Sequence, residues 1–355
     1  MIQPADHHEP KAEPVVAREP VHKPVIGITM GDPAGIGPEV VVGALADPDV
    51  RSLARFVIYG MNELLSYAAD VAEVDPFWWR VQHESQRAEF DLTHNVVVMD
   101  YDEYSILGQA IHHATKQGGQ ASLRFIDDAI AAALKPPAAD GHIDAIVTGP
   151  ICKESWRMAG CKYPGHTELL AQRTKAKRVV MMFDSPKFKV ALATVHVPLM
   201  DIRNMFTIGR VFDPIDLGHQ ACIKLGIRQP RIAVCGLNPH ASEGGLFGDE
   251  ENRVITPAIE MAKNHEMDVH GPFPADSIFK RAATGEFDLV VAMYHDQGLI
   301  PLKLLSDHEG VNVSLGLPIV RTSVDHGTAF DIVGKNEASA ESMKAAIRLA
   351  VKMAS

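Results

Sequence analysis

Residues 25–45 read VIGITMGDPAGIGPEVVVGAL, and they hold the decision about fold class. The run 25–30 is short, uncharged and rich in β-branched residues, the composition of a strand buried on both faces. Gly31, Gly35 and Gly37 follow, interleaved with Pro33 and Pro38, and an apolar helical pattern then occupies 40–45. A strand that passes through a glycine-rich turn into a helix is the first half of a βα unit. Backbone N–H groups converge in such a turn, which makes it a natural anion or cofactor site. It is not the dinucleotide fingerprint, because Val40 stands where the third glycine belongs, and no Gly-Lys-Ser/Thr follows to make a P-loop. The plain alternative is a tight turn that needs glycine for its backbone alone.

The alternation continues outward from this unit. Strands are expected at 56–59, 96–99, 145–150, 179–183, 189–195, 231–235 and 289–293, and helices at 62–72, 117–134, 153–161 and 209–225. Strand alternating with helix implies an α/β protein with a mainly parallel sheet. A new element begins near 163–170. There His166 and Thr167 mark a helix start, where Thr167 either caps the helix or faces a ligand beside free backbone donors. The cluster Phe77-Trp78-Trp79 reads as local core. Residues 1–24, with five prolines and alternating charges, read as a disordered extension.

Composition bounds the function. The chain has 355 residues, enough for two domains, and 22% charged residues, ordinary for a soluble protein. A formal net charge of -11 argues against nucleic-acid and anionic-membrane partners. An anionic small molecule then needs a local cluster of cations. Four cysteines without a C-x-x-C pair read as reduced thiols, and neither a signal-peptide core nor a transmembrane run is present, so a cytoplasmic location is expected.

The chemistry concentrates at 294–332, YHDQGLIPLKLLSDHEGVNVSLGLPIVRTSVDHGTAFDI. Lys303 and Arg321 flank Asn312, and with His166 they form a candidate phosphate clamp. Arginine matches the fork geometry of phosphate oxygens and lysine supplies a point charge. The alternative for both is surface ion pairing. His196, His240 and His295 each follow an apolar strand-like run. Three neutral imidazoles at strand ends make a candidate divalent-metal set, although 17 histidines supply such triples by chance. Asp325, His326 and Gly327 sit on an expected tight turn, with Ile319-Val320 before it as strand, so the polar groups of this span are expected at strand ends and in loops, as is Asp276 in the loop Pro272-Phe273-Pro274-Ala275-Asp276.

Residues 31–39 (GDPAGIGPE), 164–168 (PGHTE), 194–199 (TVHVPL), 236–245 (GLNPHASEGG), 294–303 (YHDQGLIPLK) and 311–329 (VNVSLGLPIVRTSVDHGTA) together resemble the 4-hydroxythreonine-4-phosphate dehydrogenase family. The resemblance spans the chain from about Val25 onward. It implies a zinc, magnesium or cobalt ion on His196, His240 and His295, with ligands from both subunits of a homodimer. It implies substrate contacts from His166, Thr167, Lys303, Asn312 and Arg321. It implies NAD(P)-dependent oxidation of 4-phosphooxy-L-threonine at C3, then decarboxylation to 3-amino-2-oxopropyl phosphate in pyridoxal phosphate (pyridoxine) biosynthesis.

A wider similarity links 31–39 and 326–335 (HGTAFDIVGK) to isocitrate and isopropylmalate dehydrogenases. It implies their two-domain fold, with the active site in the interdomain cleft. Residues 25–148 plus 313–355 would form one α/β domain, and 149–312 the second, carrying metal ligands and dimer interface. It also implies a cofactor loop of Asp325, His326, Gly327, Thr328, Asp331 and Ile332. Asp331-Ile332 there predicts NAD over NADP, and Phe330 departs from the wider pattern's proline. Lys303, Asp276 and Asp296 are the candidates for proton acceptor. The shared motifs do not separate this activity from that of relatives that oxidise 4-phospho-D-threonate or 4-phospho-D-erythronate. A relative acting on an aromatic cis-dihydrodiol fits less well, because Gly165-His166-Thr167 and Arg321 suit a phosphorylated substrate. A non-catalytic binder would need a broken site residue, and none is broken.

Overall fold

The computed structural model describes residues 23–85, 94–104, 112–306 and 310–355. The extension expected over 1–24 lies outside them, apart from Lys23 and Pro24. Twelve strands among the described residues join in one sheet. In chain order they are β1 (Val25–Thr29), β2 (Arg55–Gly60), β3 (Trp79–Gln82), β4 (Val96–Asp100), β5 (Ala145–Thr148), β6 (Val180–Asp184), β7 (Lys189–Leu192), β8 (Ile232–Cys235), β9 (Val269–Phe273), β10 (Leu289–Ala292), β11 (Val311–Leu315) and β12 (Val320–Ser323). Across the sheet the order is β3-β4-β2-β1-β5-β12-β11-β6-β7-β10-β8-β9.

The sheet is mainly parallel, as the strand–helix alternation predicts. Its three antiparallel pairs are β11 with β12, β11 with β6 and β6 with β7. The links 185–188 and 316–319 are too short for a crossover, so β6–β7 and β11–β12 must reverse direction. Strands from before residue 149, with β12, occupy one half of the order. Strands from 180–315 occupy the other, and β11 and β12 meet at the seam.

Every residue of β1, β5, β8 and β10 is buried. Each such Ile, Val or Leu contributes roughly 1.5–3 kcal/mol. The main core packs helices Gly37–Ala46, Lys116–Ala133 and Glu341–Ala354 on the sheet. A smaller apolar cluster holds Phe188, Phe279, Phe287, Leu299 and Leu302 around β7, β8 and β10. No helix among the described residues is long and apolar enough to cross a membrane.

The first βα turn is joined to the far end of the chain. Gly31 has φ +86°, and a Cβ there would stand 2.2 Å from the Pro150 carbonyl oxygen. A Cβ at Gly35 would stand 2.8 Å from both Cβ and the carbonyl oxygen of Thr328. Ile36 N donates to Thr328 O (3.0 Å) and Gly334 N to Glu39 Oε1 (2.7 Å). The glycine motif is therefore the seat of the loop that carries Thr328 and Asp331.

Several expectations are corrected. Trp79 is 57% exposed on edge strand β3 and stacks on His94, so only Phe77 and Trp78 reach the core. Asp276 lies in the first turn of helix Ala275–Ala283, not in a loop. Helix His295–Leu305 begins on His295 and runs through Pro301 to Lys303. Interior proline is a helix breaker by propensity, which hid this helix. Asn312 and Arg321 lie within β11 and β12 rather than in loops.

Candidate active site

A cavity of about 330 Å³ opens where β5, β11 and β12 meet the start of helix His166–Thr174. The register explains its composition. Arg321 pairs with Ile146 across β12 and β5, and Asn312 faces Ser323 across β11 and β12. Gly165 forms the N-cap without a side-chain bond, so Thr167 does not cap this helix. Its Oγ1 stands 3.5 Å from Ser314 Oγ instead.

Arg321 decides the electrostatics. It is 3% exposed, yet its hydrogen-bond acceptors are neutral hydroxyls: Nη1 donates to Ser314 Oγ at 3.0 Å and Nη2 to Thr148 Oγ1 at 2.7 Å. Its Nε finds no acceptor, and no carboxylate among the described residues forms an ion pair with it. Burial lowers the guanidinium to about 9, which leaves it charged at neutral pH; Glu168 opposes the shift. His166 Nε2, Asn312 Oδ1 and His326 Nε2 are likewise buried without partners, and all three residues line the same cavity. Burying polar groups unpaired is costly, and four in one cavity form a site built for a polar, anionic ligand. Burial, then the Arg321 charge, holds His166 well below the usual imidazole range.

The candidate metal ligands lie at one edge of this cavity and beyond it. His196 lines the cavity and follows β7. Burial and then Lys153 lower its pKa, which favours the neutral, ligating imidazole. The ring of His295 stands 5.7 Å from that of His196, centroid to centroid, and Asp296 Oδ1 contacts its Nδ1 at 2.7 Å. A carboxylate on one ring nitrogen leaves the other oriented outward, the arrangement metal-bound histidines adopt. His240 is mostly exposed and engages Glu243 through Nδ1 at 3.1 Å. Among the described residues no group of three His, Cys, Asp or Glu side chains comes close enough to hold a metal. As a donor set, three imidazoles with a carboxylate behind one suit a divalent ion.

Lys303 does not line the cavity. It is half-exposed, and its Nζ stands 2.7 Å from Asp325 Oδ2, which joins the helix bearing His295 to the loop that follows β12. Asp276 is exposed and Asp296 is bound to His295, so neither lines the cavity. Asp325, His326 and Gly327 do line it. Thr328 and Asp331 face a second hollow of about 590 Å³ with His112 and Lys335, and Ile332 packs on the core beneath. A carboxylate and a hydroxyl at an open hollow beside the first cavity are groups suited to a ribose, so the loop fits a nucleotide cofactor.

Sequence reasoning missed Thr148, Ser314, Lys153 and Glu168. Thr148 carried a signal, since it ends β5 at the carboxyl edge where α/β sites form. Lys153 and Glu168 lie close behind strand or helix starts already singled out. Ser314 is an inward hydroxyl in a strand and carries no local signal.

Comparison with known proteins follows the same outline. Residues 52–350 match the family described as pyridoxal phosphate biosynthetic protein PdxA. A 4-hydroxythreonine-4-phosphate dehydrogenase of Geobacter metallireducens is 45% identical over 345 residues, covering 94% of this chain and 97% of its own. A D-threonate 4-phosphate dehydrogenase of Cupriavidus necator is 43% identical over 334 residues, covering 93% and 97%. A crystal structure of a 4-hydroxythreonine-4-phosphate dehydrogenase from Burkholderia phymatum superposes with a TM-score of 0.77 at 41% identity, covering 94% and 98%.

Proposed function

The chain belongs to the PdxA family of dehydrogenases, and on that premise we propose that it oxidises the C3 hydroxyl of 4-phosphooxy-L-threonine with NAD. The β-keto acid formed then loses carbon dioxide to give 3-amino-2-oxopropyl phosphate, for pyridoxal phosphate synthesis. The observation that carries this reading is Arg321, a buried guanidinium with an unsatisfied Nε and only neutral hydroxyls as acceptors. It suits a phosphate dianion, and His166, Thr167 and Asn312 supply the remaining polar contacts.

We assign the other residues in the same reading. His196, His240 and His295 would hold a divalent ion (zinc, cobalt or magnesium), with both subunits of a homodimer contributing ligands. When bound, that ion would supply Lewis-acid chemistry at the substrate hydroxyl. Residues 325–332 would seat the nicotinamide cofactor, which would supply the acceptor for the hydride leaving C3. Lys303 Nζ is our first candidate to take the hydroxyl proton, with Asp325 holding it in place; Asp276 and Asp296 are its rivals. Residues 25–148 with 313–355, and 149–312, form two lobes with the cavity at their seam. The enzyme works in the cytoplasm.

A second reading rests on the Cupriavidus relative: oxidation of 4-phospho-D-threonate or 4-phospho-D-erythronate, which carry a hydroxyl in place of the amine. An NAD-reduction assay on the three phosphorylated acids decides. Turnover of the amino acid at least tenfold above both hydroxy acids supports the first reading, and the reverse order selects the second. No turnover of any of them ends both.

A further inference from the structure

The loop that delivers His240 is held in an improbable shape. Five consecutive residues, His240, Ala241, Ser242, Glu243 and Gly244, have φ of 53°, 52°, 68°, 45° and 68°. Four of them carry a Cβ, and each such residue in the left-handed region costs of order 1 kcal/mol. Strain of this kind persists only where the surroundings enforce it.

The enforcing group is Glu251. It is 2% exposed and opens a single π turn, Glu251–Ile255. Its Oε1 accepts from Leu237 N (2.8 Å) and Asn238 N (2.7 Å), and its Oε2 from Asn238 Nδ2 (2.9 Å). No Lys or Arg pairs with it among the described residues. A buried carboxylate is therefore spent on the two backbone amides that precede the His240 run and on the Asn238 side chain. Gln297 ties the same loop to the next ligand: its Nε2 donates to Gly236 O (2.8 Å), and its Oε1 accepts from Met293 N (2.7 Å), just before His295.

We infer that Glu251 is a positioning residue for the metal site. It fixes the backbone from which His240 projects and touches neither substrate nor ion. This inference rests on the assignment of His240 as a ligand. Its consequence is a coupling: Glu251 matters to the metal only through His240.

The test is a double-mutant cycle on the full chain, reading affinity for cobalt(II) alone by dye competition, without substrate or turnover. Glu251→Gln keeps one acceptor oxygen for the two backbone N–H groups but removes the charge and sets its NH2 against Asn238 Nδ2, and should weaken cobalt binding roughly tenfold or more. In a His240→Ala background the same change should alter affinity less than twofold. An equal loss in both backgrounds, or affinity within twofold of wild type for Glu251→Gln alone, overturns the inference. If His240→Ala itself binds cobalt as wild type does, the ligand assignment falls, and the inference with it. Should Glu251→Gln not fold, Asn238→Ala decides. A loss of threefold or more in cobalt affinity at an unchanged melting temperature supports the positioning role, and a smaller loss overturns it.

Discussion

The imidazole of His166 and the guanidinium of Arg321 share one buried cavity, and no carboxylate forms an ion pair with either among the described residues. Burial first and the neighbouring cation second keep His166 neutral, while Arg321 stays charged. One fixed cation beside one neutral donor–acceptor is a receptor for an anion, held ready at the expense of stability.

Replacing Arg321 should separate binding from folding. Arg321→Met removes charge-assisted bonds worth ~3 kcal/mol to the ligand, so KM for the phosphorylated substrate rises about a hundredfold. Arg321→Lys recovers little, because the fork geometry is lost. The ligand-free melting temperature of Arg321→Met should stay level or rise, since a buried unpaired charge disappears. A marked fall would show that the arginine is structural.

His166 makes stability depend on pH with a definite sign. Burial holds its folded pKa well below the ordinary imidazole value of about 6.5, so between the two the unfolded chain binds more protons. The contribution is therefore complete above about pH 6.5 and is lost as pH falls from there toward the folded value. Denaturant unfolding between about pH 5 and 8 should show this acid limb in the wild type and a flatter one in His166→Gln. Identical profiles would refute the assignment.

Within one chain the described residues bring no three metal-ligating side chains together, so a site completed by the partner subunit predicts complementation. His196→Ala and His240→Ala homodimers should each be inactive. Mixed and allowed to exchange subunits, they should recover about a quarter of wild-type activity, because half the dimers are hybrids with one intact site. No recovery despite proven exchange would place all three ligands in one subunit.

The loop at 325–332, which we propose seats the cofactor, offers two independent handles. Asp331 predicts kcat/KM with NAD at least ~10-fold above NADP, the ratio that ~1.4 kcal/mol confers. NADP equal or better in steady-state kinetics would remove it as determinant.

Gly35→Ala tests the seat of that loop. The new Cβ would meet Thr328 at 2.8 Å, so the loop must move. Overpacking of this kind costs about 1–3 kcal/mol. KM for NAD should rise with a modest fall in melting temperature, while the KM of the phosphorylated substrate changes little. An unchanged KM for NAD would mean that the loop is seated by other contacts.

The sequence alone determined the α/β class and most strand positions, because buried parallel strands leave continuous apolar runs such as 25–30 and 289–293 that need no partner to be recognised. It also presented the histidines and Arg321, whose residue types carry their chemistry with them, while the reading of 325–332 as a cofactor loop came from a resemblance. It misplaced Lys303 and Asp276, since Pro301 and the prolines near Asp276 suppressed the local helix signal that packing restored. Only tertiary structure decided that Arg321 is buried between Thr148 and Ser314, that Lys303 meets Asp325, and that the turn at Gly35 seats the loop at Thr328. Those relationships join residues far apart in the chain; sheet register fixes the first, and a helix-to-loop and a turn-to-loop contact fix the other two, which no local pattern encodes.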